Sequence, residues 1–174
     1  MIHEPEHAVA DIVAAAGGRL VSRVRLQKLA YLLDHLGADS GFGYVYHHYG
    51  PYSRDLDAAI FDADAFGLVE EKFERRKLDG ARYSIFEVKI EAEMHHFSYL
   101  RTERLRELAK RLASVNVTVL ELAATAHWLA QGEKFREWKA EIVRRKGSKA
   151  DNGRLAEASQ LLAELGLPPA AVVA

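Results

Sequence analysis

The densest run of chemistry-bearing side chains lies between Tyr44 and Ile60, where YVYHHYGPYSRDLDAAI sets three tyrosines and two histidines before a Gly-Pro pair, and a fourth tyrosine and alternating acids after it. Three chemistries are open to it: catalysis, nucleic-acid reading and protein recognition. Catalysis needs a nucleophile, a base and a charge stabiliser that converge. Asp55, Asp57, Asp62 and Asp64 supply paired carboxylates, yet at this spacing they mark the wet side of an amphipathic helix. No Gly-x-Ser-x-Gly and no phosphate-cradling glycine loop occurs. No enzyme and no cofactor is expected. For metal, His47-His48 and His95-His96 are adjacent pairs, whose side chains diverge on a strand or a helix, and His3 and His7 fall at a chain end. No metal site is expected either.

The elements that must position these residues follow from periodicity. Pro5 suits a first helical residue; Ala8, Val9, Ile12, Val13 and Ala16 then share a face until Gly17-Gly18. Ser22 caps a second helix in which Leu26, Leu29, Ala30, Leu33 and Leu36 recur at helical spacing. Tyr44 to Tyr49 reads as a strand closed by a Gly50-Pro51 turn, with one face packed inward. Ser53 caps a third helix burying Leu56 and Ile60, with Asp55 and Asp57 in the first turn where the dipole favours negative charge. Leu68 to Arg76 and Arg82 to Val88 form a hairpin around Asp79-Gly80. The rest is helical: Ser98–Leu112, Asn116–Ala130, Lys134–Arg145 and Asp151–Leu165, with Val115 and Leu120 stapling the Asn116 cap. The expected fold is one α+β, mainly α domain over 1–174, a winged-helix-like core of helices plus a β-hairpin (1–97) covered by C-terminal helices (98–174).

Charge divides the nucleic-acid and protein readings. The chain carries a net charge of -1, but residues 1–97 hold 11 Lys/Arg against 16 Asp/Glu and residues 98–174 hold 13 against 9. Each half therefore attracts a different partner, docks on the other, or drives a homo-oligomer. In the winged-helix order the hairpin is a possible nucleic-acid wing with Lys72, Arg75, Arg76, Lys77 and Arg82. The third helix, however, offers Arg54 against four aspartates and repels phosphates. Tyrosines favour protein interfaces because they combine rigid area with a polar tip. With no cysteine and no run of about 18 apolar residues, the chain is expected in a reducing cytoplasm with no membrane span.

Arg25-Leu26-Gln27-Lys28-Leu29-Ala30-Tyr31-Leu32, followed by Tyr49-Gly50-Pro51-Tyr52-Ser53, resembles the Panacea antitoxin domain of SocA-like and GepA-like proteins. It is closer to the uncharacterised YwgA-like relatives, which the segment Glu157 to Leu167 also resembles. The resemblance implies a bacterial module that binds proteins, as the neutralising partner of a toxin or as an adaptor to a protease. It carries Gln27, Lys28, Tyr49, Gly50 and Pro51 as motif positions. With Tyr52 and Arg54 they make up the expected partner site, a groove beside the Gln27-Lys28 helix rimmed by Tyr49, Pro51, Tyr52 and Arg54. Gln27 and Lys28 would bond either the Gly-Pro backbone or the partner. The runner-up function is a winged-helix DNA-binding regulator. Salt separates the two: binding through about six phosphates would weaken about a thousandfold or more between low and moderate salt, and a tyrosine-rich protein interface far less.

Overall fold

Pro5 opens the first helix, α1 (Pro5–Ala15), whose end is set by Gly17 and Gly18, both at positive φ. The computed structural model describes residues 4–89 and 94–169. Among these, α1 is followed by β1 (Arg19–Val21), α2 (Arg23–His35), β2 (Val45–His47), β3 (Gly50–Tyr52), α3 (Arg54–Ala65), β4 (Val69–Arg75) and β5 (Arg82–Val88). Four helices complete the order: α4 (Glu103–Ala113), α5 (Val117–His127), α6 (Trp138–Lys146) and α7 (Arg154–Leu165). The protein is mainly α, of the α+β class, with two small antiparallel sheets.

The larger sheet runs β1-β5-β4, with Leu20 opposite Phe86 and Lys72 opposite Ile85. The smaller is the ribbon β2-β3, in which Val45 faces Tyr52 and His47 faces Gly50. α5 is buried on nearly every side because α2 and α7 pack against it. Apolar side chains from α1 through α7 join in one continuous core. No helix among the described residues is long and apolar enough to cross a membrane.

Several boundaries differ from the sequence reading, some for a local and some for a long-range reason. β1 was not foreseen; three residues are too few for a periodic signal, and it exists by pairing with β5. The turn expected at Gly50-Pro51 is made one step earlier, by His48 and Tyr49, and Gly50-Pro51 belongs to β3. A two-residue hairpin leaves the Tyr46–Pro51 pair without ladder bonds, so the missing proline N–H costs nothing there. The helix expected from Ser98 begins at Glu103, capped by Thr102, because the preceding amides are already engaged. Asp11, fully buried on α1, accepts the backbone N–H groups of Ser98 (3.0 Å), Tyr99 (2.7 Å) and Leu100 (2.9 Å) on one carboxylate oxygen. Its other oxygen meets His95 Nε2 at 2.6 Å. The Asn116 cap holds, with bonds to the N–H groups of Thr118 and Val119, but the helix widens to a π turn over Trp128–Gly132. The next helix begins at Trp138 rather than Lys134, since Lys134 sits at φ 60. The last begins at Arg154, after Asn152 and Gly153 at positive φ.

Asp11 fastens the crossing from the sheet to α4. Replacing it with alanine strands three backbone N–H groups, so Asp11→Ala is expected to lower unfolding free energy by about 3 to 5 kcal/mol in denaturant titration.

Candidate functional site

Most apolar helices hide one stripe, but every residue of α2 from Leu26 to Leu33 is buried, including Gln27 and Lys28. Their polar ends are satisfied by the ribbon. The Gln27 side-chain amide donates to the Ser53 carbonyl and accepts the Ser53 N–H, both at 2.9 Å. Lys28 Nζ donates to the Pro51 carbonyl at 2.6 Å. Ser53, itself buried, uses its hydroxyl to cap Leu56 N at 3.2 Å. On the opposite side Gly50, at φ 89, lies so close to α5 that a Cβ would stand 2.4 Å from Thr125 Oγ1. Only glycine fits there, and the ribbon is held between α2 and α5.

The electrostatics of this clamp centre on Glu121, a nearly buried carboxylate on α5. It accepts from Lys146 at 2.8 Å and from Lys149 at 3.1 Å, and Lys146 also reaches the His48 carbonyl at 3.2 Å. Burial lowers the Lys28 amine to about 7; Glu121 opposes that shift, and Lys146 and Lys149 add to it. Burial likewise lowers Lys146. An amine near neutrality has the reactivity of a Schiff-base lysine. Lys28, however, is 1% exposed and committed to a carbonyl, so its role is positional.

A second network ties the ribbon to the larger sheet. Tyr52 OH donates to Asp57 at 2.5 Å, Asp57 meets Arg23 at 3.4 Å, and Arg23 grips Glu71 through two 2.7 Å bonds. Ser84 Oγ donates to Glu71 at 2.6 Å. Burial would raise the Glu71 carboxyl, but the bonds from Arg23 and Ser84 outweigh it and hold it below its ordinary value.

What remains exposed is the outer face of the ribbon. Val45 (54% exposed), His47 and half-buried Tyr52 lie on it, Tyr49 (49% exposed) stands at the turn, and Arg54 begins α3 beside it. The inner face carries Tyr46, under the Arg145 guanidinium at 4.6 Å, and buried Pro51. The sequence-derived site thus divides. Tyr49, Tyr52 and Arg54 are presented outward, whereas Gln27, Lys28, Gly50 and Pro51 are buried and act as the clamp. The groove expected beside the Gln27-Lys28 helix is filled by Ser53 and Pro51. Sequence reasoning missed Glu121, Lys146 and Thr125, which close the clamp from α5 and α6. Gly50 signalled a close approach without saying to what.

The hairpin cations are distributed differently. Lys72 pairs with Glu87 at 2.9 Å and Arg76 with Asp79 at 2.6 Å, Arg75 donates to the Gly80 carbonyl, and Arg82 lies 3.6 Å over the Phe73 ring. Lys77 is exposed. His47 and His48 pack edge to face at 4.6 Å, and no group of three metal-binding side chains gathers among the described residues. His3-Glu4-Pro5-Glu6-His7 has the letters of a zinc-protease helix. Here α1 starts only at Pro5, and His3 lies outside the described residues.

Fold and site together define a mainly α protein built around a clamped, tyrosine-bearing ribbon. Over 71 residues the chain is 31% identical to the uncharacterized protein YwgA of Bacillus subtilis (strain 168), a stretch covering 41% of this chain and 43% of that relative. The chain thus spans about two-fifths of the relative's length. No family model matches.

The buried lysine makes stability depend on pH. Between about 7 and its ordinary 10.5 the unfolded chain keeps a proton that folded Lys28 has released, so this group's contribution rises with pH across that window. Comparing the wild type with Lys28→Met by denaturant unfolding at several pH values should show the wild type gaining by up to about 1.4 kcal/mol per unit. A difference that stays constant with pH would contradict this assignment.

Proposed function

We propose that this protein is a non-catalytic protein-binding module, an antitoxin-like or adaptor component of a bacterial toxin–antitoxin or defence-type system. Its partner, a toxin or a protease, contacts the outer face of the ribbon, and the module works in the cytoplasm. The observation that carries this reading is the contrast between the ribbon's two sides. Behind it every polar group of the motif is spent on internal bonds, and in front a row of apolar and aromatic side chains stands on that fixed base. Preorganised aromatic surface of this kind lowers the ordering cost of binding and supplies the residue types that dominate interface energetics. The buried amine and carboxylate that would otherwise suggest catalysis are engaged with the protein itself. The likeness of the Gln27-Lys28 and Gly50-Pro51 segments to the Panacea domain supports the antitoxin-like wording.

Affinity capture of the tagged chain from its native host, with nuclease treatment and mass spectrometry, tests the reading. One stoichiometric protein is expected. Its affinity should fall about tenfold or more in Tyr49→Ala/Arg54→Ala, since truncating a central aromatic typically costs more than 1 kcal/mol. Both side chains are exposed, so the variant should unfold at the wild-type denaturant midpoint. Recovery of nucleic acid alone, with no stoichiometric protein, overturns the proposal.

A further inference from the structure

Two grooves of about 750 and 980 Å³ meet along the β1 side of the larger sheet, sharing Val21 and Arg25 in their walls. The smaller runs between β1 and the end of α4, and its charged lining is Arg19, Arg25, Lys110 and Arg111 against Glu107. The larger runs between the β4–β5 hairpin and the start of α5, with Arg75, Arg76, Lys77, Arg82 and Lys149 against Glu74 and Glu121. Nine basic side chains therefore face three acidic ones along one trough, in a chain of net charge -1.

Four of the nine are paired, Arg19 with Glu87, Arg76 with Asp79, Arg111 with Glu164 and Lys149 with Glu121, and the other five form no ion pair among the described residues. Of these five, Lys77 and Lys110 are exposed. Arg25 donates to the carbonyls of Ala113 and Val115, and Arg75 to that of Gly80, so each is held in place with its charge intact. Their fork geometry suits phosphate oxygens. Tyr49 and Tyr83 stand in the wall of the larger groove, Tyr49 with Lys149 4.8 Å over one ring face, and aromatic rings in such a groove are surfaces on which bases stack. The acidic helix that argues against phosphates lies elsewhere. The larger groove is lined by the hairpin tip, Glu74 to Tyr83, whereas α3 runs into the opposite end of β4, where the Leu68 N–H bonds the Ala63 carbonyl.

We propose that this trough binds the phosphodiester backbone of a nucleic acid strand. The activity is additional to protein recognition at the ribbon and stands or falls separately from it. An acidic peptide shares the charge but lacks the flat bases that would use the two tyrosines.

Fluorescence anisotropy of the full chain with labelled single-stranded DNA, RNA and duplex DNA of one mixed sequence tests the assignment. Binding is expected to weaken on the order of a hundredfold between about 50 and about 200 mM salt, as about five phosphate contacts require. Arg75→Glu/Lys77→Glu in the larger groove and Lys110→Glu in the smaller should each weaken it at least about tenfold, since each reverses charge at a phosphate contact. Asp62→Lys/Asp64→Lys on α3 should change it less than about twofold, being at the far end of β4. Far-UV circular dichroism confirms that each variant is folded. The strand type bound tightest identifies the source of the backbone. No binding at about 10 μM protein in low salt overturns the proposal. So does equal loss in the α3 variant, and so does displacement of the strand by polyglutamate at equal charge concentration, which would assign the trough to an acidic peptide.

Discussion

The bond from Lys28 Nζ to the Pro51 carbonyl, beside the double bond between Gln27 and Ser53, is the constraint on which the candidate site depends. Burying an amine this deeply costs several kcal/mol before pairing, and the bonds it then makes roughly offset that cost. The arrangement therefore contributes little net stability. What it does contribute is a single register: α2 can meet the ribbon in one way only, because any slip leaves an amide or an amine buried without an acceptor. Gly50 against Thr125 enforces the same register from α5 by sterics. Polar specification on one side and a missing Cβ on the other hold three-residue strands that could not persist alone.

The same economy governs the acids. Asp11 organises the crossing into α4 by accepting three consecutive amides, and Asp34 gathers the hydroxyls of Tyr44, Tyr99 and Ser40. Asp57 and Glu71 link the ribbon, α2 and the sheet through Arg23. These carboxylates belong to the acid-rich N-terminal half, yet they are spent internally. The charge asymmetry seen along the chain is therefore a poor guide to the surface. Basic character collects in the trough beside β1, drawing on both halves, and acidic character is left on the exposed side of α3.

Much of the fold was legible because it rests on periodicity and caps. Ser22, Ser53 and Asn116 begin helices where the sequence placed them, Gly166 ends α7 at positive φ, and Gly80 turns the hairpin. Two of the errors come from long-range contacts. Ser98 looked like a helix start, but its amide belongs to Asp11, 87 positions earlier. Gly50-Pro51 looked like a turn, yet its φ freedom is used for contact with α5. At the site, Gln27 and Lys28 were read as bonding either the Gly-Pro backbone or a partner, and they bond the backbone of Pro51 and Ser53. Gln27 and Lys28 are polar on a helix whose surroundings no local pattern reveals, so an outward role was as legible as the inward one they have. Of the trough's cations, Arg75, Arg76, Lys77 and Arg82 were legible as a basic hairpin, whereas Arg19, Lys110 and Lys149 join them only through the fold.

The ribbon and the trough are joined at one point. Tyr49 stands at the ribbon turn and also in the trough wall, and Lys149 lies 4.8 Å over its ring while bonding Glu121. Glu121 in turn binds Lys146, which reaches the ribbon through the His48 carbonyl. A ligand that draws Lys149 away from Glu121 removes one of that carboxylate's two direct cationic partners and so strengthens its hold on Lys146. A partner that covered Tyr49 would displace the same lysine from the opposite direction. The two surfaces share a residue pair and a buried charge, so if both bind as proposed, occupancy of one would change the free energy of occupying the other. By linkage that effect is reciprocal, whichever ligand arrives first.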